Sequence, residues 1–342
     1  MTHWARLTSV LWAVGLVGCS SDTITSEATY GVFGTTVNVK VRHAENHPPN
    51  AALAELDYLF QTLHRDWHPW EPGALTRLNE GLATGDWVEV PPDLDDLLKR
   101  SQQLEMASGG RFNPAIGQLV ALWGFHTSTY PITSPPPAEH AIDAWVAERP
   151  SSLDIVYSDT APTRVRSDNA ALGLDFSAVA KGAAAGAACE VLLAAGFGDA
   201  LVNLGGDVLV CGPTARPWRV AIRRPQWEGS EGSGVLEVLE VDRKLAVFTS
   251  GQYHRYGVWN GERYAHVLDP NTGRPVDHLV QATAIDPDPV LADAAATALV
   301  VAGLEDADRV GQQLGLERWR VVNADRQPPP PSNDPGSMRQ PR

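Results

Sequence analysis

Lysine is almost absent from this chain. Four lysines stand against 23 arginines in 342 residues, and the formal net charge is −14. No run of basic residues appears anywhere, which excludes a nucleic-acid partner, because phosphate backbones are held by a concentrated positive surface. Long hydrophobic runs are scarce as well: the stretch Val10-Leu-Trp-Ala-Val-Gly-Leu-Val17 is too short to span a bilayer as a helix. Also missing are the G-x-G-x-x-G fingerprint, the G-x-S-x-G elbow, the P-loop spacing and a zinc-type histidine pair. A Rossmann cofactor site and a hydrolase triad therefore have no support.

What is present is enough apolar material, 43% of residues against 20% charged, to bury a sizeable core in one large domain or two lobes. Thirty glycines and 26 prolines predict many loops and tight turns. The first 19 residues hold a single Lys or Arg, Arg6, followed by the short apolar run and then Leu16-Val17-Gly18-Cys19. This order fits a signal peptide over residues 1–18 with a bacterial lipobox, in which Cys19 is lipidated and becomes the new N-terminus. The expected organisation is then a polar tether over 19–30, a folded body over 31–324 exposed on the periplasmic side of a membrane, and a proline-rich, disordered tail over 325–342. The other two cysteines, Cys189 and Cys211, are either buried thiols or a disulfide, which that compartment permits.

Along the body, Val37, Val39 and Val41 alternate with polar residues as in a half-buried strand. Helices are predicted over 50–63, 91–108, 114–122, 290–301 and 305–314. Residues 127–137 read as a loop and 153–165 as a hairpin. The segment 180–195 is nearly all Ala, Gly and Leu, as suits a helix packed closely on both sides. Strands are predicted at 200–204, 207–211, 218–223, 235–241 and 246–249, with a hairpin turning at Asn260-Gly261. The sum is an α+β fold with largely antiparallel sheets and packed helices.

Three segments carry candidate chemistry. Asp175-Phe-Ser-Ala-Val-Ala-Lys181-Gly182 leads into the alanine-rich helix, whose N-terminus and Lys181 suit a phosphate, although Asp175 and Ser177 could simply cap the helix. Asn203-Leu-Gly205-Gly206-Asp207 lies between two strands and reads first as a tight turn, though paired glycines also admit a close ligand. Asp293 and Thr297 are four residues apart and share one helix face; together they suit a hard cation such as Mg²⁺, the competing possibility being an N-cap and a threonine bonded back to a carbonyl. His266 stands between a hairpin and the turn Asp269-Pro-Asn-Thr-Gly273, and a lone strand histidine is more often structural than catalytic.

The order of these segments resembles the ApbE family. The series runs Gly34-Thr35-Thr36, Leu75-Thr-Arg-Leu-Asn79, Phe112-Asn-Pro-Ala-Ile-Gly117 and Leu119-Val-Ala-Leu-Trp-Gly-Phe125, then Asp175 to Gly182 and Leu201 to Asp207. Thr249-Ser-Gly251, Tyr264 to Gly273 and Leu291 to Thr297 complete it, so the likeness spans about residues 31 to 303. The resemblance implies an ApbE-like fold with the ligand site between lobes, and transfer of FMN from FAD to a threonine or serine hydroxyl of an acceptor redox protein, with AMP released. It also implies that the Ala180 carbonyl, Asp293 and the Thr297 hydroxyl hold Mg²⁺, and that Asp175 and Lys181 contact the cofactor near its adenosine and phosphates.

By the same resemblance, Phe33, Trp70, Leu122, Trp123 and Gly124 belong to the ring pocket, and His266 lies near the reacting phosphate as a base for the acceptor hydroxyl. An aspartate beside the metal, Asp293, is the rival for that role. The chain departs from the family at Phe33, where many relatives have methionine, and at Gly186, where many have aspartate. A Mg²⁺-dependent FAD pyrophosphatase and a non-catalytic flavin-binding lipoprotein are the alternatives. No acceptor motif of the Ser-Gly-Ala-Thr type occurs in the chain, which leaves the acceptor as a separate protein.

Overall fold

The computed structural model describes residues 23–225, 234–252, 255–278 and 280–323. The expected signal peptide, Cys19 and the tail beyond 324 lie outside the described residues. Two ten-residue strands, β1 (Thr23–Val32) and β2 (Thr35–Ala44), pair antiparallel along their whole length. On β2 the alternating Val37, Val39 and Val41 are fully buried, as their period of two requires. The tether expected over 19–30 is therefore too long, since β1 already begins at Thr23. Its residues are mostly polar and exposed because β1 is an edge strand, so its composition reads as a linker.

The helices α1 (Asn50–Asp66), α2 (Ala74–Thr84) and α3 (Pro92–Ala107) follow, with the short strand β3 (Val88–Glu89) before α3. Each buries a leucine stripe, such as Leu75, Leu78 and Leu82 on α2. Next come α4 (Gly117–Leu122), α5 (Glu139–Glu148), β4 (Val156–Tyr157), β5 (Arg164–Arg166) and α6 (Ala180–Ala194). Residues 127–137 form a loop, as predicted. Thereafter strands dominate: β6 (Ala200–Leu204), β7 (Asp207–Val210), β8 (Trp218–Arg223), β9 (Val235–Val241) and β10 (Leu245–Gly251). The hairpins β11 (Tyr256–Trp259) with β12 (Glu262–Ala265) and β13 (Leu268–Asp269) with β14 (Arg274–Pro275) precede β15 (Val280–Asp286), α7 (Pro289–Leu314) and β16 (Arg318–Asn323). The two helices predicted near the end are consecutive segments of α7, divided at Gly303, whose φ of 67° breaks the helical backbone.

A seven-stranded sheet, ordered β1-β2-β6-β7-β10-β15-β16, is antiparallel at every step. One face carries the helices. The other is covered beside β7 and β10 by the β8–β9 hairpin, through Val208, Val210, Val220, Ile222 and Val247. Alanines bring the two central helices together: Ala184, Ala185 and Ala188 on α6 and Ala292, Ala295 and Ala296 on α7 are all buried. The approach is closest at Gly182, where an added Cβ would lie 2.2 Å from the Pro289 carbonyl oxygen. A smaller apolar cluster of Leu119, Trp123, Phe125, Ile132, Ile142, Trp145 and Leu268 forms beside the main core.

Cys189 of α6 and Cys211, just after β7, form a disulfide that closes a 22-residue separation. It joins the helix that carries Lys181 to the strand that begins at Asp207. In the chain-entropy model a closed loop of this length contributes about 3 kcal/mol. The double variant Cys189→Ala/Cys211→Ala is expected to lose stability of that order, measured as a fall in the urea midpoint against the oxidised wild type. An unchanged midpoint would show that the bridge adds nothing to the folded state.

Candidate active site

The three segments singled out above converge on one charged knot. The turn at Gly34-Thr35-Thr36 packs on the turn at Gly205, whose amide donates to the Thr36 carbonyl at 3.0 Å. Gly205 holds φ at +64°, and a Cβ there would fall 2.3 Å from the Thr35 hydroxyl, so only glycine fits. This fixes the start of β7 and thereby Asp207. The Asp207 carboxylate accepts the Thr249 amide at 2.8 Å through one oxygen and the Lys181 ammonium through the other. On α7, Asp293 accepts the Gly182 amide at 2.8 Å and lies 3.7 Å from the same ammonium.

Both aspartates are 5% exposed, while the Lys181 side chain keeps 29% of its surface accessible. Burial alone would depress the Lys181 pKa, but Asp207 and Asp293 overcome it and raise the pKa above the usual lysine value. Two carboxylates face one ammonium, which leaves an excess negative charge. It shows on Asp293, whose carboxyl is held above the ordinary aspartate range, first by burial and then by Asp207, against the opposing pull of Lys181.

This arrangement bears on the capping account of Asp293 and Thr297. Asp288 caps α7, accepting the amides of Val290 and Leu291, so Asp293 is no cap. No hydrogen bond joins the Thr297 hydroxyl to another described residue. The pair one turn apart therefore presents a negatively biased carboxylate and an uncommitted hydroxyl, an oxygen donor set that fits a hard cation. Ala180, the first residue of α6, adjoins both Lys181 and the Gly182 contact with α7. Among the described residues no cluster of three His, Cys, Asp or Glu could hold a metal; the expected set, with its single carboxylate, is of a different kind.

A second group forms around Asp175. It accepts a hydrogen bond from His126 at 3.2 Å and the Ser177 amide at 2.8 Å. Burial would raise the Asp175 pKa, but the bonds from His126 and Ser177 outweigh it and pull the pKa below the ordinary aspartate value. The His126 ring stacks on Trp70, with centroids 5.1 Å apart and planes inclined by 24°. The contacts continue through His68 and His64 to Phe33. Phe33 itself holds a positive φ of 55° at the head of the Gly34 turn, so the aromatic row runs from one end of the site to the other. His126 escaped the sequence reading, because nothing in its surroundings marks a histidine whose partner lies 49 residues on.

His266 stands at the junction of the main core and the smaller apolar cluster. Its Nδ1 lies 3.0 Å from the Arg255 carbonyl oxygen, which only accepts, so Nδ1 carries a proton and the neutral ring's lone pair falls on Nε2. Phe125 packs against His266 at 6.3 Å. The Arg255 guanidinium lies against the Gly34 turn, and its charge opposes that of Lys181. His266, the turn and Lys181 thus share one neighbourhood.

The residues expected around a ring pocket divide. Trp70 is half-buried and stacked on His126. Trp123 is only 7% exposed, its indole N–H bonded to the Gly273 carbonyl at 2.8 Å and its ring packed on Tyr264. Its ring is therefore a prop beneath the Asp269–Gly273 turn. Leu122 beside it is 36% exposed, and Gly124 turns the chain with φ at 77°.

The family model for ApbE matches residues 33–318, well over half of the chain. The chain belongs to the ApbE family. It is 41% identical over 294 residues to the FAD:protein FMN transferase of Rhodobacter capsulatus, covering 84% of this chain and 53% of that one; it spans about half the length of that relative. Against the FAD:protein FMN transferase of Escherichia coli K12 it is 32% identical over 269 residues, covering 78% of this chain and 73% of the relative. The crystal structure of the ApbE protein from Thermotoga maritima superposes with a TM-score of 0.76 at 26% identity, covering 88% of this chain and 97% of that one. The α+β, largely antiparallel architecture is thus that of solved ApbE proteins, and the likeness includes every segment that builds the charged knot.

Two outcomes follow from this ApbE geometry. Gly182→Ala forces α6 away from Pro289; overpacking of this kind costs about 1–3 kcal/mol, seen as a lower melting temperature. A melting temperature equal to wild type would show that the helices part freely. For Asp175 the folded-state pKa is depressed, so its stabilisation is present above the unfolded value near ~3.9 and is lost as pH falls through the folded value. The stability difference between wild type and Asp175→Asn should therefore shrink on acidification below about pH 4. A difference that stays constant from pH 6 to pH 2 would contradict the assignment.

Proposed function

We propose that this ApbE protein transfers FMN from FAD to a threonine or serine hydroxyl of a separate acceptor protein, in a reaction that depends on Mg²⁺. The observation that carries the reading is the knot of Lys181, Asp207 and Asp293 with the uncommitted Thr297 hydroxyl, within a chain whose relatives are named FAD:protein FMN transferases. Asp293, Thr297 and the Ala180 carbonyl would hold the metal ion, whose contribution when bound is to neutralise charge on the phosphoryl oxygens. Lys181 presents a permanent positive charge to the same phosphates, because two carboxylates keep it protonated. The acceptor oxygen attacks the phosphorus on the riboflavin side, the bond to the AMP phosphate breaks, and AMP departs. The hydroxyl proton goes to a base, for which His266, beside the Gly34 turn and Lys181, is the candidate and Asp293 the rival. The acceptor's class, a redox protein, follows only from the family.

Export and lipid anchoring at Cys19, on the periplasmic side, belong to the same proposal. The apolar run ending in Gly18-Cys19 supports them, and the Cys189–Cys211 disulfide fits an oxidising compartment. No described helix is long and apolar enough to cross a membrane, so a lipid anchor would supply the attachment.

The test is mass spectrometry of an acceptor domain carrying a flavinylation threonine, incubated with the protein, FAD and Mg²⁺. One FMN added per acceptor, lost on chelation and lost in Asp293→Ala, is the expected result. Free FMN and AMP with an unlabelled acceptor would make the protein a pyrophosphatase. Tight FAD binding with no turnover would make it a binder.

A further inference from the structure

Gln252 follows the Thr249-Ser-Gly251 segment at the end of β10, and its side chain is 2% exposed. Neither its Oε1 nor its Nε2 has a hydrogen-bond partner, and among the described residues it is the one side chain with two such buried, unpaired atoms. Leaving a whole amide buried and unpaired costs several kcal/mol in the ligand-free protein, so the position needs an explanation. Its backbone is held by the site on both sides. Three residues before it, the Thr249 amide is bound to Asp207. Three residues after it, the Arg255 carbonyl is bound to His266. Its own carbonyl accepts the Arg263 guanidinium at 3.1 Å. Gln252 thus lies in the sequence between a residue bound to the charged knot and one bound to the histidine.

The chemistry of the unpaired atoms narrows what they would bind. A phosphate only accepts and would leave Oε1 unfilled, whereas a metal ion would take Oε1 and leave Nε2 unfilled. A primary amide offers a donor and an acceptor side by side, and it is satisfied by a group that presents an acceptor and a donor in the same way. Heteroaromatic rings have such edges: the imide edge of an isoalloxazine and the amino-pyrimidine edge of an adenine.

We propose that Gln252 is a specificity-determining residue that binds the donor–acceptor edge of one of the two rings of the dinucleotide substrate. This rests on the flavin-transfer reading given above. The cost of the unpaired amide in the empty protein is recovered when the ring enters, so a ring without that edge is disfavoured.

The experiment measures dissociation constants of the full chain for FAD, FMN and AMP by fluorescence and calorimetry, for wild type and Gln252→Met, which keeps length and volume but removes both polar atoms. The ligand-free variant should melt at or above the wild-type temperature, because an unpaired buried amide has been removed. Its FAD dissociation constant should rise about tenfold or more, with a parallel loss for FMN if the amide meets the flavin, or for AMP if it meets adenine. Gln252→Leu repeats the measurement should the first variant fold poorly. A variant that binds FAD as wild type does would overturn the assignment. So would a lower melting temperature with unchanged affinity, which would mean that a buried water pairs the amide. Wild type that binds none of the three ligands would instead overturn the flavin-transfer reading, and this assignment with it.

Discussion

The site depends on one ammonium group held between two buried carboxylates. Lys181 answers Asp207 on one side and Asp293 on the other, and one positive charge cannot balance two negative ones away from water. Burial first, and the Asp207 charge after it, hold the Asp293 carboxyl above the ordinary aspartate range. A cation at Asp293 and Thr297 would correct the imbalance, and Lys181 would then be available to a phosphate. On the proposed reading the same three side chains would let an acidic protein with four lysines receive an anionic dinucleotide: the remedy is local, and the global charge of −14 need not change.

Everything around the knot fixes its three members relative to one another. Lys181 comes from the start of α6, Asp293 from the second turn of α7, and Asp207 from the first residue of β7. Small residues allow the two helices to touch at Gly182, where the same amide that marks the contact also binds Asp293. Gly205 allows the turn before β7 to seat on Thr35. The disulfide then ties α6 to the end of β7. Packing, turn chemistry and a covalent bridge act on one geometric requirement, which the long stretch of antiparallel sheet beneath them supports.

The legible parts of the sequence were those with a period or a punctuating residue. The valine alternation of β2, the Asn260-Gly261 hairpin and the Ala/Gly helix α6 stand where the pattern placed them. β1 was missed because an exposed edge strand carries polar residues like those of a linker. α5, which buries only Ile142 and Trp145, offers too short a stripe to register. The site divided in the same way. Asp293 and Thr297 were readable because helical spacing puts them on one face, while Asp207 read first as a solvated turn residue and proved to be buried. The Trp70–His126–Asp175 contacts and the isolation of Gln252 arise from residues far apart in the chain, which no local pattern encodes. The bond of the Trp123 indole to Gly273, 150 residues on, is likewise one that no local pattern announces.

On the proposed reading the knot is a metal-and-phosphate site. Its most direct test is a crystal structure with FAD and Mn²⁺, the metal located by its anomalous signal. One peak bonded to Asp293 and Thr297, with the Lys181 ammonium against the FAD phosphates, is the expected result. FAD seated in the site with the metal absent or bound elsewhere, and Lys181 still closed on both aspartates, would contradict it.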